Sequence, residues 1–153
     1  MSERKEKAMN NFLEGYNCAQ SVVLAFEDIL PIEKDQLMKL ACSFGGGMGR
    51  LREVCGSVSG MFMVLGLLYG YDGPETGKVK AEQYRKVQEL AHKFEEEYGS
   101  IVCRELLGLS VRHDTPTPEA RTAEYYGKRP CKEIIGKAAE LLEKFISENE
   151  ISI

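Results

Sequence analysis

Residues 51–70 read LREVCGSVSGMFMVLGLLYG, and no residue from Val54 to Tyr71 is charged. A single cysteine, Cys55, opens this run, and Gly56, Gly60, Gly66 and Gly70 are spread along it. The run is at the short limit for a bilayer span, which needs roughly 20 residues, and it contains Ser57 and Ser59 besides the glycines. The pairs Gly56/Gly60 and Gly66/Gly70 have the small-xxx-small spacing of packed membrane helices. In a soluble bundle the same spacing lets a neighbouring helix come close. The stretch is therefore expected to be a buried, glycine-rich central helix from about Arg52 to Tyr69.

Upstream the period is helical. Glu3 to Glu14 is expected as a short polar helix with Ala8, Phe12 and Leu13 on one side, stopped by Gly15. Asn17 is placed to cap a second helix, Cys18 to about Asp28, which uses Val22, Val23 and Phe26 and ends before Pro31. A third, Lys34 to Ser43, carries Leu37, Leu40 and Ala41 and stops at the glycine cluster GGGMG.

Downstream, YDGPETG is a turn-rich loop. From Thr76 to Tyr98 the residues Tyr84, Val87, Ala91, Phe94 and Tyr98 recur at steps of three and four, one stripe of a long amphipathic helix. SIVCRELLG is expected as a short helix capped by Ser100, and LSVRHDTPTPEAR, with two prolines, as a surface loop. Pro130 opens the last helix, whose apolar face is Ile134, Ile135, Ala138, Leu141, Leu142, Phe145 and Ile146. No segment alternates with period two. The expected fold is all-α: residues 1–153 as one domain, a compact bundle of about six or seven helices.

The 153-residue chain, 43% hydrophobic and 29% charged, is large enough for a core without disulfide staples. A net charge of -4 with dispersed basic residues argues against nucleic acid as the main partner. The N-terminal MSERKEKAMNNF has no apolar region of a secretory signal, so a cytoplasmic location is expected. In that reducing compartment the five cysteines, at 18, 42, 55, 103 and 131, point to thiol chemistry or metal ligation more than to scaffolding.

Four of them, Cys18, Cys55, Cys103 and Cys131, fall at the expected starts of helices. Cys42 falls at a helix end, between Ala41 and Phe44, and reads best as core filler. A helix N-terminus carries unpaired N–H groups and about half a positive charge, which favours a thiolate over a thiol. Free Cys titrates near ~8.5, and in such settings or beside Arg it falls to ~3.5–7.5. Arg50 and Arg52 stand close before Cys55, with Glu53 offsetting part of their charge, and the glycines leave room for a substrate, so Cys55 is the expected attacking thiol. The preceding FGGGMGR turn could offer backbone N–H groups to an anion, making Gly46, Gly47 and Arg50 candidate cofactor-binding residues, although it lacks the GxxxxGK[ST] of a P-loop. His92 falls on the polar side of its helix. His113, beside Asp114, is expected in the surface loop.

With its lone Cys18 in EGYNCAQSV, its CGSVSG box at residues 55–60, and the further lone Cys103 and Cys131, the chain resembles the redox-active protein family named for its cysteine pattern, C_GCAxxG_C_C. FGGGMGR before the box and LGLLYG after it extend the likeness over most of the chain. Ser57 stands where the family's box has Ala, and Cys42 has no counterpart in the pattern. The resemblance implies a redox or metal role for the four thiols, with no established reaction or substrate.

Three functions remain open on this reading. The first is reversible thiol–disulfide or electron-transfer chemistry at the four cysteines, as in a thiol-dependent oxidoreductase, with a redox partner or small-molecule substrate. The second is a zinc ion or iron–sulfur cluster held by the same cysteines, although none of them has C-x-x-C spacing. The third is a noncatalytic helical interaction protein.

Overall fold

The structure, a computed structural model, describes residues 2–151. Its elements in chain order are α1 (Glu3–Glu14), α2 (Cys18–Leu24), α3 (Lys34–Ala41), the single turn α4 (Gly45–Met48), α5 (Gly56–Tyr69), α6 (Gly77–Tyr98), α7 (Cys103–Leu106), α8 (Ala123–Lys128) and α9 (Cys131–Glu148). Among the described residues there is no strand, only one isolated antiparallel bridge between Val54 and Val102. The fold is all-α, and among the described residues no helix is long and apolar enough to cross a membrane.

Side-chain caps start four of the nine helices among the described residues. Ser2 accepts a hydrogen bond from the Lys5 amide at the start of α1, and Gly15, left-handed at φ 116°, ends it. Asn17 and Gln20 form a reciprocal capping box on α2. Thr76 caps α6 and Thr122 caps α8.

Helix α5 is the centre. Its residues from Gly56 to Met61, then Val64, Leu65 and Leu68, are buried, because α2, α6 and α9 all pack against it. A Cβ on Gly60 would lie 3.0 Å from both the Ala19 carbonyl oxygen and Val22 Cβ, so its absence lets α2 settle directly on α5. Helix α1 lies along α9. Phe26, Met61, Leu65, Leu90, Phe94, Ile135, Leu142 and Phe145 fill the space between. Each contributes about 1.5–3 kcal/mol of burial against the exposed state.

Several expected boundaries move. Helix α2 ends at Leu24 and continues as a 3-10 turn at Glu27–Ile29, and α3 ends at Ala41 with a 3-10 turn at Cys42–Phe44. Helix α5 begins four residues later than expected, at Gly56, because residues 53–55 are drawn into pairing with 101–103. Helix α8 was not anticipated. Gly66 is exposed with no atom near its missing Cβ, and Gly70 is the cap that ends α5, so only Gly56 and Gly60 make a close-packing pair.

Leu13, Leu40 and Tyr84 are 46%, 50% and 57% exposed and lie outside the core. On α6 the buried edge runs through Leu90 and Phe94, and Gln83 reaches back to the Leu65 carbonyl at 3.3 Å. The inward stripe is thus turned slightly from the one that hydropathy suggests, which left Tyr84 outside and Leu90 in.

Candidate functional site

The four cysteines begin four helices. Cys18, Cys103 and Cys131 are the first residues of α2, α7 and α9, and Cys55 occupies the N-cap position of α5. Local rules place them there: Asn17 caps before Cys18, and Pro130, with no N–H to lose, precedes Cys131. Ser100 does not cap α7 directly; its hydroxyl accepts from the Val102 amide and donates to Glu105.

Tertiary contacts then bring these starts together. The Cys55 amide donates to the Ile101 carbonyl at 2.8 Å and the Cys103 amide to the Glu53 carbonyl at 2.6 Å, which ties two of the sulfurs across the Val54–Val102 bridge. The Cys18 sulfur rests on Gly56, where a Cβ would stand only 2.2 Å from it. Gly47 leaves room in the same way for Cys103, whose Cβ would be 2.6 Å from a Cβ there.

The chain between α3 and α5 makes this packing possible. Gly46, Gly47, Met48, Gly49, Arg50 and Arg52 all have φ between 60° and 70°, a left-handed run that includes three residues with side chains. Left-handed geometry costs roughly 1–2 kcal/mol for each such residue. Offsetting bonds hold it: Arg50 and Arg52 both donate to Asp114, at 3.2 and 3.0 Å, and the Asp114 and His113 amides donate to the carbonyls of Arg50 and Leu51. Arg52 is only 4% exposed, and its second guanidinium nitrogen donates to the Cys103 sulfur at 3.6 Å. The Arg52 hydrogen bond holds the Asp114 carboxyl below its usual range.

The protonation state reverses the expectation of a reactive thiolate. Burial pushes the Cys18 thiol up, against backbone N–H groups of Gly46 and Ala19 that pull it down. Burial, then the charge of Cys18, push Cys55 far above the usual thiol range; Ser57 opposes this only in part. Cys131 rises to about 12, from burial and then from Cys18 and Cys103. The magnitudes explain the outcome. A helix N-terminus supplies at most about 2 kcal/mol, whereas full burial moves a pKa by up to 3–5 units, about 4–7 kcal/mol. Cys103 acts electrostatically on Cys18, and Cys18 and Cys103 both act on Cys55 and Cys131; all five cysteines are free thiols.

A cavity of about 280 Å³ opens over this cluster. Cys18, half-buried, is the member of the quartet that lines it; Cys55 and Cys103 are 8% and 6% exposed and lie behind. Of the three candidate cofactor residues, Gly46 and Arg50 line the cavity, while Gly47 is buried against Cys103. Cys42 is exposed at the cavity rim and is not core filler, since the chain leaves α3 there in a 3-10 turn. His92 and His113 are exposed. Sequence reasoning missed Asp114, Arg121, Tyr125 and Arg129, which come from the loop and helix after α7. The Arg-rich content of that stretch carried no periodic signal to reveal them.

As they stand, the thiols do not form a ligand set for zinc or an iron–sulfur cluster. Among the described residues no group of three or more His, Cys, Asp or Glu side chains is placed to hold a metal ion. Arg52 also sets a fixed positive charge against Cys103, which opposes a cation there.

Fold and site together define an all-helical protein with four free thiols at four helix starts, one of which, Cys18, lines an arginine-walled cavity. The chain belongs to the family described as "Putative redox-active protein (C_GCAxxG_C_C)", which it matches over residues 16–145. No curated protein and no solved structure matches it.

Proposed function

We propose that the protein is a thiol redox protein, an oxidoreductase-type carrier in a reducing, cytoplasmic setting, in which Cys18 meets an incoming disulfide and Cys55 resolves the product. The observation that carries this reading is the position of Cys18: it lines the cavity while its sulfur rests on Gly56, the residue next to Cys55. The sequence favoured Cys55 as attacker; its burial and raised pKa fit the resolving role better.

The exchange balances as follows. Cys18 loses its proton and attacks one sulfur of a disulfide RSSR; the S–S bond breaks, and the departing RS⁻ takes up a proton. Cys55 then loses its proton and attacks the Cys18 sulfur of the mixed disulfide, expelling the second RS⁻, which is protonated in turn. The protein pair gives up two electrons and two protons, and RSSR becomes two RSH. Cys103 and Cys131, each at the start of its own helix, are the remaining thiols of the quartet and would serve as a reserve for the same chemistry.

The test is an air-free preparation, reduced and treated with bis(2-hydroxyethyl) disulfide, with thiols counted, disulfides mapped and metal measured. The expected result is an intramolecular disulfide containing Cys18, reversed by dithiothreitol, retained in Cys42→Ser and lost in Cys18→Ser. Stoichiometric zinc or iron in the preparation, or modification of Cys42 alone, would overturn it in favour of the metal or interaction reading.

A further inference from the structure

The cavity beside Cys18 concentrates positive charge in a chain whose net charge is -4. Arg50, Arg52, Arg121 and Arg129 all line it. Two carboxylates answer them: Asp114 holds Arg50 and Arg52, and Glu119 holds Arg129 at 2.6 Å. Arg121 is different. Its guanidinium stacks 4.1 Å from the centre of the Phe12 ring and donates to the backbone carbonyls of Phe12 and Tyr16, and among the described residues no carboxylate pairs with it. Four cations against two anions leave the cavity wall with an excess of two positive charges, fixed in place by those bonds.

From this we infer that the substrate is a small anionic disulfide, one bearing carboxylates, drawn to Cys18 by the arginine wall and by Arg121 in particular. The inference rests on the redox reading of Cys18 and adds the substrate class. An anion in a confined cationic cavity gains both encounter rate and affinity, and both fall with salt. A diammonium compound of the same size meets the same wall as repulsion.

Three disulfides of nearly equal size and different charge make the experiment: 3,3′-dithiodipropionate, bis(2-hydroxyethyl) disulfide and cystamine. Oxidation rates of the reduced full-length protein are measured with each and divided by the rates of the same reagents with free 2-mercaptoethanol, which removes their intrinsic reactivity. The dicarboxylate is expected to exceed the diamine by about tenfold or more at low salt, the ratio shrinking towards one at high salt. Arg121→Gln lowers that ratio several-fold, while Arg121→Lys, which loses the forked bonds and keeps the charge, retains most of it. Equal normalised rates for all three reagents, or a ratio untouched by salt and by Arg121→Gln, overturn the inference and leave the redox reading standing. Suberate, the dicarboxylate with carbon in place of the two sulfurs, separates the opposite failure: if calorimetry detects its salt-sensitive binding while no reagent oxidises the protein, the anion site stands and the redox reading falls.

Discussion

Replacing Gly56 with Ala tests the packing on which the site depends. The new Cβ would fall 2.2 Å from the Cys18 sulfur, 2.9 Å from the Phe44 carbonyl oxygen and 3.1 Å from the Ala19 nitrogen. Ordinary contact lies near 3.5–4.0 Å, so the sulfur must withdraw by ~1.5 Å and the Phe44 backbone must give by ~0.5 Å or more. Overpacking of this kind costs about 1–3 kcal/mol, while Ala returns at most about 1 kcal/mol of helix propensity. Because the clash includes a backbone oxygen that cannot swing aside, the upper part of that cost applies, and the net loss of about 2 kcal/mol lowers the urea midpoint by about 1 M at an m-value of about 2 kcal/mol/M. Gly66→Ala is the internal control: the same exchange in the same helix, with no atom within 4 Å, raises stability by about 0.5–1 kcal/mol. The displaced Cys18 of Gly56→Ala also forms its intramolecular disulfide more slowly. Urea unfolding with both variants reduced, followed by disulfide mapping, reads both effects. If Gly56→Ala is as stable as the parent and exchanges at the same rate, the claim that this glycine seats Cys18 is wrong.

Other outcomes follow from the same geometry. Gly47→Ala, at φ 70° and with its Cβ 2.6 Å from that of Cys103, combines strain and clash, and should lose more than about 2 kcal/mol in the same assay. Ser57→Ala removes a buried hydroxyl that has no hydrogen-bond partner and should raise stability by about 1 kcal/mol, to be read from urea melts. Because Cys131 titrates higher folded than unfolded, its contribution is complete below about pH 9 and is lost as pH rises towards 12. Cys131→Ser should therefore lose less stability than the parent between pH 8 and 10 when both are melted across that range. Asp114, depressed by Arg52, behaves oppositely: its contribution is present above about pH 4 and disappears as pH falls. Asp114→Asn should flatten that acid-side decline and, by freeing Arg52, disturb the Cys103 end of the site, which thiol-alkylation rates at Cys103 detect.

Local chemistry made much of this molecule legible from its letters. The cap at Asn17, the stop at Gly15 and the period of α9 are short-range signals, readable because a helix satisfies its backbone within four residues. The starts of helices at Cys18 and Cys131 follow from the same signals, and the buried character of α5 from its uncharged run, whereas α7 starts at Cys103, two residues beyond the start that a cap at Ser100 implied. The expected low-pKa thiolate failed for an equally physical reason. A helix start is a local property, but burial is set by every element packed around it.

Most of the helices, and the helix ends at which the sulfurs sit, are thus written in local residue patterns. The packing of those helices is what lays Cys18 on Gly56, brings Arg52 to both Cys103 and Asp114, and turns Arg121 to the same cavity. The first three of these contacts join residues 38 to 62 positions apart, around a turn whose glycines the sequence shows but whose partners it does not. The charge state of a thiol depends on the sum of such distant neighbours and the water they exclude, which no window along the chain contains.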